Sequence, residues 1–182
     1  MRGTRPILRR LAVVALAAVA GLAMTAGTAH AGREFPGGSI QDGKVRWAGE
    51  RTIALPNKSD LTVSVHTSVY RTDYGEVWGR VKISWHGAGL GSGHKFDGFR
   101  IVPRLERRYG SSGTDQIIKV DDCDVTQSLN NVWQGALSCY SPVADWNSSF
   151  YWSGDGYLQW DIDNDGKGWQ SAWQLKGSPL MT

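Results

Sequence analysis

The sequence predicts an all-β fold: a single antiparallel β-sandwich or small barrel of about eight short strands, carrying one disulfide. Three observations predict it. Stretches such as residues 61–69 alternate apolar and polar side chains with period two, the pattern of a half-buried strand. Clusters of Gly, Pro, Asn and Asp interrupt the chain between such stretches. After residue 31, no segment shows a helical apolar period bounded by caps.

The first 31 of the 182 residues read as a secretory signal peptide rather than as part of the fold. Arg2, Arg5, Arg9 and Arg10 make a basic head, residues 11–24 an apolar run, and Ala29-His30-Ala31 an A-x-A cleavage site, so the mature chain is expected to start at Gly32. Arg9-Arg10 lacks the polar surroundings of a twin-arginine signal, which favours general secretion. The Ala-rich signal resembles those of high-GC Gram-positive bacteria. The apolar run is too short and Ala-rich to span a bilayer, and no second one follows, so no transmembrane segment is expected.

The formal charge of the whole chain is +3, but four of the 20 basic residues and none of the 17 acidic ones lie in the signal, which leaves −1 on the remainder. The basic balance therefore belongs to the part removed, and nucleic-acid binding by bulk electrostatics is not expected.

Along the mature chain, residues 32–43 are rich in turn formers and lack a period, and read as an extended arm ahead of a domain spanning 44–182. A short strand near 51–55 and a turn at 56–60 lead into the strand at 61–69, with Leu61, Val63, Val65 and Val69 on one side. Residues 77–85 repeat the pattern, placing Val77, Val81, Ile83 and Trp85 on the apolar face and Trp78, Arg80, Lys82 and Ser84 on the polar one. After the glycine run at 87–93, Phe99, Ile101 and Leu105 mark a strand that Pro103 assigns to an edge or a bulge, because proline cannot donate to a ladder. Segments 117–125, 131–140 and 149–153 add short strands. A hairpin across 151–175 closes the fold around the turn Asp161-Ile162-Asp163-Asn164-Asp165-Gly166.

Cys123 and Cys139 are the only cysteines. In an exported chain they are expected to pair, which would contribute on the order of 3 kcal/mol by closing the loop between them.

Two features point toward a site. Asp161, Asp163 and Asp165 occupy the first, third and fifth positions of an oxygen-ligand calcium loop, with Gly166 at the sixth. Ala172 stands where an EF-hand has its bidentate glutamate, and strands flank the loop, so an EF-hand is excluded. A looser calcium site and a plain solvated turn both stay open.

The second feature is nine tryptophans. Trp85, Trp133, Trp160 and Trp173 fall on apolar sides and read as core. Trp78 falls on a polar side, and Trp146 and Trp152 lie in or beside loops; these three are the candidate ligand platforms, since an exposed indole stacks on a sugar ring or anchors a partner.

His66, His86 and His94 match no metal spacing. The glycine run joins strand to strand, which excludes a dinucleotide fingerprint. No nucleophile elbow, zinc-protease or cysteine–histidine signature is present, so the sequence leans against an enzyme. The expected function is that of a secreted, non-catalytic binding protein recognising carbohydrate or cell-envelope glycan. The alternative is a protein-interaction module (adaptor, inhibitor or subunit) that uses its arm or a sheet edge.

Overall fold

The computed structural model describes residues 39–89 and 93–182. The expected signal peptide, residues 32–38 of the expected arm, and residues 90–92 lie outside the described residues. Those described form, in chain order, β1 (Ile40–Ile53), β2 (Leu61–Thr72), β3 (Glu76–Gly87), β4 (Phe96–Arg108), β5 (Gln116–Val120), β6 (Cys123–Asp124), α1 (Thr126–Asn131), β7 (Gln134–Tyr140), β8 (Ala144–Asp145), β9 (Tyr151–Ile162) and β10 (Trp173–Gln174).

Two antiparallel sheets make a β-sandwich. The first has the order β1-β2-β3-β7, with β8 also paired to β3; the second has the order β10-β9-β4-β5, with β6 also paired to β4. Strand alternation decides which faces meet. Val63, Val65 and Val69 of β2 join Val77, Val81, Ile83 and Trp85 of β3, and these oppose Phe99, Ile101 and Leu105 of β4 with Trp152, Leu158 and Trp160 of β9. All are buried. Each such side chain contributes about 1.5–3 kcal/mol on leaving water, so this interior dominates the stability of the domain.

The interior is divided in two. A large cluster runs from Ala48 to Leu175, and a smaller one gathers Val69, Val77, Leu105, Trp152 and Met181 at one end. Between the flanking apolar residues of β3 and β9 stand Gly79, Gly154 and Gly156. A Cβ on Gly154 would fall on the Ser68 carbonyl and 3.2 Å from Gly79 Cα, and one on Gly79 would lie 2.5 Å from the Arg104 carbonyl. The sheets therefore touch backbone to backbone here, and only residues without a side chain permit the approach.

Four expectations change. The boundary at 43/44 falls inside a strand: from Ile40 the expected arm is β1, paired along its length with β2. The closing hairpin is lopsided: Trp173 and Gln174 form a two-residue strand opposite Leu158 and Tyr157 of β9, and the chain pairs with β9 again at an isolated Met181–Trp152 bridge. A six-residue helix, α1, precedes β7; it is too short to show a period, its N-cap Val125 makes no side-chain cap, and an Asx-type turn leads into it, with the Asp124 carboxylate accepting from the Thr126 N–H at 2.9 Å.

Pro103 lies inside the second sheet, not at its edge. It pairs with Gly156 of β9 on one side, and on the other its carbonyl accepts from Asp121 N at 3.2 Å, in the break between β5 and β6. The missing donor faces that break, which is why an interior strand tolerates it.

Cys123 lies in the second sheet and Cys139 in the first. Both are buried, 2.7 Å apart and not at disulfide distance. Proximity is thus supplied by the fold, while the bond itself also requires the loss of two electrons and two protons. Among the described residues no helix is long and apolar enough to cross a membrane.

Candidate functional site

The three tryptophans expected to be platforms are not exposed ones. Trp78 faces away from the second sheet, as its parity requires, yet it is fully buried and stacks on Tyr70 with centroids 5.8 Å apart. Trp152 is also fully buried, in the smaller cluster, because its strand parity points it between the sheets. Trp146 is partly buried and stacks on Trp152 at 6.0 Å. The fold brings Trp146 and Trp152 together and keeps Trp78 on the other side of the first sheet.

Two other tryptophans are open to solvent. Trp169 is 48% exposed, on the outer side of the second sheet, but its ring covers Gly98 and carries the Arg100 guanidinium at 5.0 Å. Trp47 is 59% exposed and has no ring partner among the described residues. It was missed because β1 was read as starting near residue 51. Its signal was the alternation of Val45 and Trp47 with Lys44 and Arg46.

Trp47 sits on β1 beside a bulge, where the register shifts between Trp47 and Gly49 and Gly49 adopts φ +141°. The bulge keeps Trp47 and Glu50 on the same outer face. Trp47 pairs with His66, His66 with Lys82, and Lys82 with Ser138, a row across all four main strands of the first sheet. At about 4.8 Å per strand the row spans roughly 14 Å. The next row holds Glu50, Ser64, Ser84 and Ala136, with Glu50 accepting the Ser64 hydroxyl at 2.5 Å. Between β3 and β7 this face carries a shallow groove of about 590 Å³ lined by Ser84, His86, Gln134 and Ala136. The result is a broad polar face with one bare indole at its margin.

No protein-family model, curated protein or solved structure matches this chain. The reading of its sites therefore rests on geometry and chemistry alone.

In the aspartate turn, Asn164 and Gly166 take left-handed conformations, φ 59° and 68°, and Asp165 accepts from the Lys167 N–H at 2.8 Å. Asp163 turns away toward Lys58, whose ammonium lies 2.9 Å from Oδ2, while His94 Nδ1 lies 3.1 Å from Oδ1. The hydrogen bonds from Lys58 and then His94 hold the Asp163 carboxyl down to about 2. Among the described residues, the metal-ligating atoms that gather within 4.8 Å of one another belong to His94, Asp97 and Asp163; Asp161 and Asp165 do not join them. Asp161 lies on β9, which ends at Ile162, while Asp163 lies beyond that end, so strand alternation does not set the two side by side.

On the outer face of the second sheet, Arg104 reaches Glu106 at 3.3 Å and Asp155 at 3.1 Å. Burial raises both carboxyls, and their mutual repulsion raises Glu106 further. A single guanidinium held by two acids is an ion network that locks β4 to β9.

Proposed function

We propose that this chain is a secreted, non-catalytic binding protein for carbohydrate or cell-envelope glycan, and that it binds on the outer face of the first sheet. The observation that carries the proposal is the row Trp47–His66–Lys82–Ser138 beside a groove lined by Ser84, His86 and Gln134. An exposed indole offers a flat apolar surface to the C–H face of a sugar ring. Hydroxyl, imidazole, amide and ammonium groups along the same face supply donors and acceptors for a polyol. A broad open face suits a chain of sugars better than a small molecule, which needs an enclosing pocket. The signal anatomy supports export, where such polymers are found.

The test is a glycan array followed by polysaccharide pull-down with wild type, Trp47→Ala and Trp169→Ala. Binding is expected in wild type and in Trp169→Ala, and is expected to weaken about tenfold, or about 1.4 kcal/mol, in Trp47→Ala. Absence of binding to every glycan overturns the proposal.

One observation favours the protein-interaction reading. β1 is a 14-residue edge strand whose Ile40 and Val45 are about half exposed. Its free edge offers a ladder for strand addition. Its bulge and the flanking Lys44 and Arg46 are features that discourage such pairing, which ranks this reading second. Recovery of a stoichiometric protein partner from culture supernatant, lost in Val45→Lys but kept in Trp47→Ala, would reverse the ranking.

A further inference from the structure

Strand parity carries two arginines toward the interior at one end of the sandwich. On β2 the inward series Val63, Val65, Thr67, Val69 continues to Arg71, and on β4 the series Phe99, Ile101, Pro103, Leu105 continues to Arg107. Arg107 pairs across the ladder with Trp152, itself fully buried. The Arg71 guanidinium lies over Trp146 at 4.6 Å; Trp146 stacks on Trp152; and Arg107 lies 4.2 Å from the Phe150 centroid and 5.9 Å from that of Trp152. The two guanidiniums thus bracket a stacked pair of indoles, Trp146 and Trp152.

Neither arginine has a counter-ion. The Nε atoms of Arg71 and Arg107 are buried without a hydrogen-bond partner, and neither residue makes an ion pair among the described residues. Every other arginine in the second sheet is engaged: Arg100 by Gln159 and Asp122, Arg104 by Glu106 and Asp155, Arg108 by Asp115. Partial burial of a cation without an anion is costly, and the ring faces offset only part of that cost.

Arg107 opens on a pocket of about 320 Å³, at the small end of the range for ligand sites. Lys119 of β5 adds a second, exposed cation to its wall. Ile118, Val143 and Ala144 add apolar atoms to a wall that is polar overall, and Asp145 is the one acid that lines it, exposed and paired through the ladder with Glu76.

We propose that this pocket binds a carboxylate, with Arg107 as the principal anchor and Lys119 as the second. The Phe150 and Trp152 rings lie against the guanidinium, whose N–H groups are the part that can donate to an anion. A planar carboxylate takes two parallel N–H donors from the guanidinium fork, and inorganic phosphate, which can use the same fork, is the competitor that the titration separates. The pocket lies on the interior side of the sandwich end, apart from the Trp47 face, and does not depend on glycan binding there.

The test uses the mature protein labelled with nitrogen-15 and follows the Arg107 Nε–Hε and Trp152 indole resonances. Acetate and D-glucuronate are titrated in, with glucose and inorganic phosphate in parallel. Saturable shifts with both carboxylates, none with glucose, and at least tenfold weaker binding of phosphate are expected. A tighter response to glucuronate than to acetate assigns the carboxylate to a sugar acid, and an equal response assigns it to a simple carboxylic acid; both support the site. Because Arg107 contributes to packing, the decisive variants change Lys119, which is exposed. Lys119→Ala is expected to weaken carboxylate binding about fivefold, and Lys119→Glu to abolish it, with unfolding midpoints unchanged. No shift with either carboxylate overturns the proposal, as does phosphate binding equal to theirs or binding indifferent to Lys119→Glu.

Discussion

The Lys58 ammonium lies 2.9 Å from Asp163 Oδ2, tying the turn before β2 to the turn after β9. The same ammonium donates to the His94 carbonyl, so a protein cation already occupies the carboxylate that a calcium ion would need. A carboxyl whose pKa is lowered in the folded state contributes stability above its unfolded value of about 3.8, and that contribution is lost as pH falls toward 2. Lys58→Met is expected to raise the Asp163 pKa toward 3.8, read by carboxyl carbon NMR. Calcium is expected to leave the wild-type unfolding midpoint unchanged and to raise it only in Lys58→Met, where Asp163 is released. A calcium-dependent rise in wild type would restore Asp161, Asp163 and Asp165 as ligands.

Lys95 is fully buried. Its ammonium donates to the carbonyls of Leu129, Asn130 and Val132 at 2.6, 3.1 and 3.2 Å and lies 4.4 Å from the centre of the Trp133 ring. These carbonyls come from the end of α1 and just beyond, where helix carbonyls lack partners and favour a cation. Burial, with a smaller contribution from Lys58, lowers its pKa to about 8. Between about pH 8 and 10.5 the unfolded chain binds more protons at this group than the folded one, so its effect on stability rises with pH across that window. Urea unfolding of wild type against Lys95→Met isolates this slope, since other groups titrate alike in both. Lys95→Met is expected to cost about 1–3 kcal/mol at pH 7, because it takes the donor from the Leu129 carbonyl, while those of Asn130 and Val132 keep Gly93 N and Trp85 Nε1.

Cys123 and Cys139 stand where a bond would join the two sheets. The hydrogen bond with Cys123 and then burial push the Cys139 thiol up, so in the reduced, folded chain it reacts slowly with an outside reagent. Protein made under reducing conditions is expected to hide both thiols from a thiol reagent until it is denatured. Protein recovered from an oxidising secretory route is expected to show none, and to lose about 2–4 kcal/mol of stability when both are replaced by Ala. Two titratable thiols in the secreted, denatured protein contradict the pairing.

Gly154→Ala is expected to cost about 2 kcal/mol or more in chemical denaturation, because its methyl group meets backbone and not a side chain that can rotate away. Gly110→Ala, at a turn with φ 70° and open space around it, is expected to cost about 1 kcal/mol, from backbone strain alone. Equal costs would mean that the sheets part easily at this point.

The sandwich was legible because period-two alternation holds wherever one sheet face is buried: residues 61–69, 77–85 and 99–105 all lie within the strands found. Parity also assigned Trp85, Trp160 and Trp173 to the core. It failed where a polar-side residue is nonetheless covered, as at Trp78, since parity gives a direction and not what lies there. It failed at residues 40–50 because Gly43 and Gly49 resemble turn residues, yet one sits within the strand and the other in its bulge. The arginine pair was readable in the same way: Arg71 and Arg107 continue the apolar parity of their strands. Pairing of distant segments was not readable, so Lys58 beside Asp163, 105 positions away, left no local trace.

The most direct measurement is the affinity of the mature protein for a glycan identified on the array, compared between wild type and Trp47→Ala by calorimetry, with the unfolding midpoint of each as the control. About tenfold weaker binding in Trp47→Ala, at an unchanged midpoint, is the expected result. Equal affinity in the two proteins, or no glycan bound by either, contradicts carbohydrate recognition on the outer face of the first sheet.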